Sequence, residues 1–506
     1  MKNISKQFLL TVMSAGILFS SCKKDFLDIN SNPNSPTDDN ITPELIFTSA
    51  AEGVGATSVG ARANGAGARS SMQFAQNWVG YMASNGDFAR DNTETSYDID
   101  FSFGNTLFLT RYGVLYDLHQ AEVKGLATGD TAVAAASIIL SAKMFQELVD
   151  LFGNLPYKQA FQPDLYPRPD YDKAEDIYAD LQKRLDTAIE YMGKTAPAAF
   201  ESADIVNHGD QEKWIKLANT IKLRLLIRQS EKLTAPPTEE IAKIMATGGV
   251  LEAGESVSVN PGYANEEDKQ SPFYANYGFT VTNNRATTST NANEYIINLL
   301  STKNDPRIER LFTPVGAAFI GNPYGLPAGD LFPGASTSYF GPGIVASPEQ
   351  DQWIMPSYES LFFKAEAIAR GWMTGDAKAT VKEAITESFV FLGVEDVDAA
   401  VEDYIANSGI ADYSAVEGGS VRDKVNFIAR QKYIANTGID PQESYSDIRR
   451  LNFLEDKSYI SQNEGKVSNT LPVRLLYPQS EYTTNSDNVT KQGTIDAFTS
   501  KIFWQP

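Results

Sequence analysis

The stretch Ala134–Phe152, AAASIILSAKMFQELVDLF, reads as one long helix that stops at Gly153 and Pro156. Its apolar residues recur at helical spacing, and a glycine with a proline close behind ends such a pattern. Five more segments carry the same signal: Ala174–Met192, Gln211–Leu233, Tyr358–Trp372, Ala377–Leu392 and Val421–Asn436. Several come in pairs joined by short Gly/Asp turns, so neighbouring helices are expected to run antiparallel. Between Val257 and Pro356 the character changes. Gly, Pro, Asn, Ser and Thr dominate there, and Asn293–Leu300 alone keeps a helical period. Aromatic residues persist through this stretch, whereas a disordered insert would be poor in them. It is therefore expected to be ordered, rich in loops, and the working surface.

In the pair 358–392, Leu361, Ala365, Ile368, Ala377, Val381 and Ala384 fit the small-and-apolar spacing of a tetratricopeptide repeat. Small residues at those places let two antiparallel helices approach closely. Lys364 occupies a position where that repeat wants an apolar residue, so plain helical hairpins remain the alternative.

The N-terminus supplies a membrane anchor. Lys2 and Lys6 precede an apolar run, Phe8–Phe19, that is too short to span a bilayer. Ser20 and Ser21 follow, and then Cys22, the single cysteine of the chain. Residues 1–21 are thus expected to be a lipoprotein signal peptide, with Cys22 lipidated after cleavage. Residues 22–42, rich in Asn, Ser, Pro and Asp, read as a flexible tether that reaches roughly 65 Å if fully extended. Residues 43–506 form the body.

The net charge of −21 is spread over the whole chain and disfavours nucleic acid or anionic lipid as a partner. Catalytic motifs are missing. His119 and His208 are the only histidines, and no zinc spacing, nucleophile elbow or phosphate-binding loop appears. No cofactor is implied, and the chain does not read as an enzyme. Its 64 acidic residues always contain carboxylate pairs of the kind a glycosidase uses, but no motif singles one out.

Several pieces, in order, resemble the SusD/RagB family of Bacteroidetes nutrient-binding lipoproteins. They include Cys22-Lys-Lys-Asp-Phe-Leu-Asp28 with Asn32-Pro33-Asn34, Asp150-Leu-Phe-Gly-Asn-Leu-Pro156-Tyr157, and Trp214 through Arg224. Asp305-Pro306-Arg307, Ala365-Glu366-Ala367 with Gly371, and Gln431-Lys432-Tyr433 with Pro441-Gln442-Glu443 follow. Pro472-Val-Arg474 with Tyr477-Pro478 matches the family's ending. Tyr445 stands where many members have Trp, and only Asp25 represents the acidic export signal some carry after the cysteine. The resemblance implies a mostly α fold of four tetratricopeptide-like helix pairs with a loop-rich ligand-binding face. It also implies an outer-membrane location facing the exterior, and a TonB-dependent transporter as partner, to which a glycan or peptide is delivered.

The motif charges Asp150, Asn219, Arg224, Glu366, Asp447 and Arg449 lie within or just beyond helices and read as scaffold. Ligand candidates lie off the periodic faces. Trp78 and Tyr81 sit beside the polar Asn85-Gly-Asp87, an aromatic pair with hydrogen-bonding neighbours, although Trp78 reads equally well as core. Tyr274 and Tyr277, Tyr339, and Arg285 after Asn283-Asn284 complete the set, with Asp87 and Arg285 at its polar rim. Trp214, Trp372 and Trp504 read as structural, and Trp353 stays undecided. The alternative function is a helical-repeat scaffold lipoprotein that binds other proteins. Replacing Cys22 by Ala is expected to move the protein from the membrane fraction to the soluble fraction. A variant that still pellets with membranes and resists a carbonate wash contradicts the anchor.

Overall fold

A computed structural model describes residues 41–59 and 71–506. The signal segment, Cys22 and all but the last two residues of the tether lie outside the described residues. The helices that build the body are α1 (Pro43–Val59), α2 (Ser71–Trp78), α3 (Asn105–Thr128), α4 (Thr131–Phe152), α5 (Ala174–Met192) and α6 (Gln211–Arg228). They continue with α7 (Pro272–Tyr277), α8 (Ser357–Ala369), α9 (Ala377–Leu392), α10 (Val421–Ala435) and α11 (Pro441–Leu451). The protein is mostly α, in tetratricopeptide-like helix pairs: α3 packs on α1 and α4, α4 on α5, α5 on α6, α6 on α8, and α8 on α9 and α10.

Helix α4 is the axis of this stack. Asp130 starts it by accepting hydrogen bonds from the Ala132 and Val133 amides at 3.1 and 3.0 Å. Its length and hydropathy would suit a membrane span, but its whole apolar window is buried inside the protein. Every residue from Ala132 to Phe152 is withdrawn from solvent, Lys143, Gln146, Glu147 and Asp150 included. Burying those groups is costly unless each is paired.

The three charged ones, Lys143, Glu147 and Asp150, are paired in a network that crosses the stack. Glu147 takes Lys143 from its own helix and Arg111 from α3 at 3.2 Å. Asp150 accepts from Tyr178, from Trp504 Nε1 at 2.8 Å and from Arg228 Nε at 3.0 Å. Glu443, set on the first turn of α11 by the Asp440 cap, binds Arg224 Nε at 3.0 Å, Lys432 Nζ at 2.8 Å and Arg228. Arg450 joins Glu366 of α8 to Asp447, each at 2.8 Å. Arg449 instead donates to the carbonyls of Asp150 and Val473 at 2.7 and 2.9 Å. The motif charges are therefore scaffold: they tie α4, α6, α8, α10 and α11 to one another.

Short strands add three two-stranded antiparallel ladders. β1 (Met82–Ser84) pairs with β5 (Thr290–Ala292), and β2 (Leu155–Pro156) with β3 (Tyr171–Asp172). β4 (Val257–Val259) pairs with β6 (Gln352–Met355). The last ladder joins the two ends of the loop-rich region, so residues 260–351 leave and re-enter the body at one place. Helix α1 lies against that ladder at Gly55, where a Cβ would stand 2.6 Å from Val259 Cγ1. Only glycine permits the approach.

Burial alone would raise the Glu443 carboxyl, but Arg228, Lys432 and Arg224 hold it well below its ordinary value. The same opposition leaves Glu366, beside Arg450, and Glu147, beside Lys143, at about 2. A carboxylate depressed in the folded state contributes stability above its unfolded value, near 4.5, and loses it as pH falls through the folded value. The melting temperature is therefore expected to fall steeply from about pH 4.5 toward pH 2. Glu443→Gln, which leaves buried cations uncompensated, should cost about 3–5 kcal/mol at neutral pH and flatten part of that acid limb. A flat acid profile in the unaltered protein, or a harmless Glu443→Gln, is the contrary result.

Candidate functional site

Within the loop-rich region, α7 begins at Pro272 after Ser271 and divides its aromatics between two sides. Phe273 is fully buried, 4.7 Å from the Trp353 ring and 5.7 Å from Phe340. Tyr277 leans on the same core, its ring 4.9 Å from Phe273 and 5.5 Å from Phe340. Tyr274 points elsewhere, toward Phe279 at 6.5 Å.

Residues 278–286 then make a tight antiparallel turn. Ala286 donates to the Gly278 carbonyl at 3.0 Å, Thr280 to Asn284 at 2.8 Å, and Asn283 takes the left-handed conformation the reversal needs, φ 62°. Phe279 and Arg285 thereby become cross-strand partners. The guanidinium carbon of Arg285 stands 5.1 Å from the Phe279 ring centre and 3.8 Å from that of Tyr339. Tyr339 is held by its backbone, through its own carbonyl and the Thr313 amide at 2.9 Å. All three side chains are half-buried, with one side left to solvent.

Asp87 reaches this assembly from the turn after β1. Asn85 is fully buried and donates to Asn291 Oδ1 at 2.6 Å, which pins the turn to β5. The exposed Asp87 carboxylate then accepts the Gly334 amide at 2.8 Å. A Cβ on Gly334 would lie 2.7 Å from Tyr339 Oη and 3.2 Å from Asp87 Oδ2, so the tyrosine hydroxyl and the carboxylate flank one glycine. Beside the turn, a cleft of about 490 Å³ is bordered by Glu267, Asp268, Gln270, Asn276 and Thr280. The surface is thus a cation on an aromatic bed at one end and carboxylates at the other. Burial lowers the Arg285 guanidinium from its usual value, with only the Tyr339 hydroxyl working against it.

Of the residues marked out in the sequence, the structure brings together Asp87, Arg285 and Tyr339, with Tyr274 at the margin. Trp78 and Tyr81 do not join them, and the expected platform around Trp78 is corrected. Trp78 is fully buried, stacked on Phe103 at 5.5 Å and edge-on to Phe74 at 4.8 Å, with its indole N–H on the Glu94 carbonyl. Tyr81 is also fully buried, its ring 4.8 Å from Tyr433 and its hydroxyl 2.8 Å from Ser444 Oγ. The apolar body of each ring closes the core where α2 meets α11. Tyr277 belongs more to the core than to the surface. Trp353 is structural, donating to the Ile439 carbonyl at 3.1 Å. Phe279 joins this surface without being marked out in the sequence; its signal is the spacing to Arg285 across Asn283-Asn284, which is that of a turn.

The fold and this surface define a helical-repeat protein that presents an aromatic and charged contact face on loops. The chain belongs to the SusD-like family, described as starch-binding and associating with the outer membrane, whose model matches residues 38–478. No curated protein sequence matches it. Among solved structures it is similar to a SusD homolog from Bacteroides fragilis, at 19% identity and TM-score 0.73 over 92% of this chain and 99% of the other. A SusD/RagB family protein from Bacteroides thetaiotaomicron aligns at 19% identity and TM-score 0.72, over 92% and 99% of the two chains. A chitin-binding SusD homolog from Flavobacterium johnsoniae aligns at 20% identity and TM-score 0.72, over 90% and 98%. At these identities the likeness speaks for the fold.

Core and surface aromatics should separate on truncation. Trp78→Ala is expected to cost about 3–5 kcal/mol of stability. Tyr339→Ala should stay within about 1 kcal/mol of the unaltered protein. Thermal melts of the two variants check this, and an early melt for Tyr339→Ala would place that ring in the core.

Proposed function

We propose that this protein captures a glycan on the face built from Tyr274, Phe279, Arg285, Tyr339 and Asp87, and is not an enzyme. The observation that carries the reading is the division of labour among its polar and aromatic groups. The motif charges are consumed in the buried network, while this loop surface keeps rings and polar groups open to solvent. Sugar C–H faces pack on aromatic rings, and carboxylates and amides at the rim take hydroxyls. Starch binding in the family's description and chitin binding by one structural relative support a saccharide over a peptide. Lipidation at Cys22 would hold the body at the outer membrane, facing outward, and a TonB-dependent transporter would receive the ligand.

A second reading, a scaffold that binds proteins, has one observation in its favour. Leu109, Tyr116 and Val123 of α3 recur every seven residues and are all exposed. Such a row on a water-facing helix suits a protein partner. The two readings are compatible if that partner is the transporter and the loops hold the glycan.

Glycan-array binding by the full chain in detergent tests the leading reading. Phe279→Ala combined with Tyr339→Ala should lower affinity for the best glycan at least tenfold while melting normally, because each ring is worth about 0.5–1.5 kcal/mol beyond its buried area. Unchanged affinity in a well-folded double variant removes this surface as the site.

A further inference from the structure

Every described arginine but one either pairs with a carboxylate or donates to a backbone carbonyl. Those at 111, 168, 184, 224, 228, 307, 370, 422, 430 and 450 each pair with a carboxylate. Arg90, Arg310, Arg449 and Arg474 each donate to backbone carbonyls. Among the described residues, Arg285 alone has neither kind of acceptor. Its contacts are the rings of Tyr339 and Phe279, 3.8 and 5.1 Å from its central carbon, and neither accepts a conventional hydrogen bond from its N–H groups. The Asp87 carboxylate is engaged by the Gly334 amide and forms no ion pair with it.

This is unusual placement for a cation in a chain of net charge −21 with 64 acidic residues. Ten of the other guanidiniums pair with a carboxylate and the remaining four donate to backbone carbonyls, whereas this half-buried one does neither. A guanidinium seated over an aromatic ring, with no protein acceptor on its N–H groups, can take two oxygens of one anionic group side by side. From this we infer that the ligand of the loop face is an acidic saccharide, one of whose carboxylate or sulfate groups docks on the edge of Arg285 while its sugar ring lies on Tyr339 and Phe279. The inference rests on the glycan-binding reading above and names the chemistry of its ligand.

The test uses the full chain in detergent and an array of matched pairs. Oligogalacturonate, alginate and heparosan oligosaccharides are set against their carboxyl-reduced forms, and sulfated chondroitin oligosaccharides against their desulfated forms. At least one charged member should bind tenfold or more tightly than its neutral partner, with the preference shrinking as salt rises. The carboxylate and sulfate arms tell which anion is read. Arg285→Gln should abolish the preference without lowering the melting temperature, and Arg285→Lys should restore only part of it.

Equal binding of charged and neutral partners, or a preference that survives Arg285→Gln, overturns the inference. If neutral glycans still bind and the Phe279→Ala, Tyr339→Ala variant loses them, the surface stands and only the acidic class falls. If the double variant keeps all binding, the surface itself is misplaced and the inference falls with it. Capture of a penta-glutamate peptide with no array glycan bound overturns the saccharide class.

Discussion

The Glu443 carboxylate, buried between Arg224, Arg228 and Lys432, is the contact on which the rest of the architecture depends. It stands at the first turn of α11, and its partners come from α6 and α10. Through Arg228 it is one step from Asp150 on α4; through Lys432 and Asp447 it reaches Arg450 and Glu366 on α8. Apolar packing between repeat helices is non-directional and would tolerate small slips of one pair along the next. A chain of charges with fixed donor directions does not tolerate them, because a slip strands a buried ion. Such networks cost desolvation, and the return proposed here is a single register for helices far apart in sequence.

That rigidity is what allows the working surface to be built from loops. Val257–Val259 and Gln352–Met355 close the excursion at its base, and α1 seats against them at Gly55. Above this base, a turn, a six-residue helix and a strand of irregular chain hold Phe279, Arg285 and Tyr339 within ring-stacking distance. Each is positioned by local hydrogen bonds rather than by core packing. The division suits a binding protein: the scaffold carries the stability, and the side chains proposed to meet a ligand are left free of structural duty.

Arg285 and Arg449 show the same chemistry turned to different ends. Both lie over a tyrosine ring, at 3.8 Å for Arg285 on Tyr339 and 4.0 Å for Arg449 on Tyr445. Arg449 spends its donors on the carbonyls at the ends of α4 and of a distant loop, so it is a cross-tie. Arg285 spends none. The ring contact alone does not distinguish them; the acceptors around the rim do.

The sequence by itself determined the helices whose amphipathic period is clean. Ala174–Met192 and Ala377–Leu392 have the bounds their spacing predicts, and Asp150, Arg224, Glu366 and Asp447 are scaffold as their helical positions suggest. The period did not pick out α3, because Leu109, Tyr116 and Val123 make its outer face apolar as well, nor α1, whose Gly53 and Gly55 blur the pattern. Tertiary structure alone decided which aromatics meet solvent. Trp78 and Tyr339 look alike in a sequence, since each is a ring among polar neighbours. The difference arises because Phe103 and Tyr445, from two distant segments, close over the first together with Phe74 of its own helix, while the second meets the Arg285 guanidinium and stays half-exposed. Burial of a side chain on a loop is set by what folds against it from elsewhere in the chain, and local sequence carries no record of that.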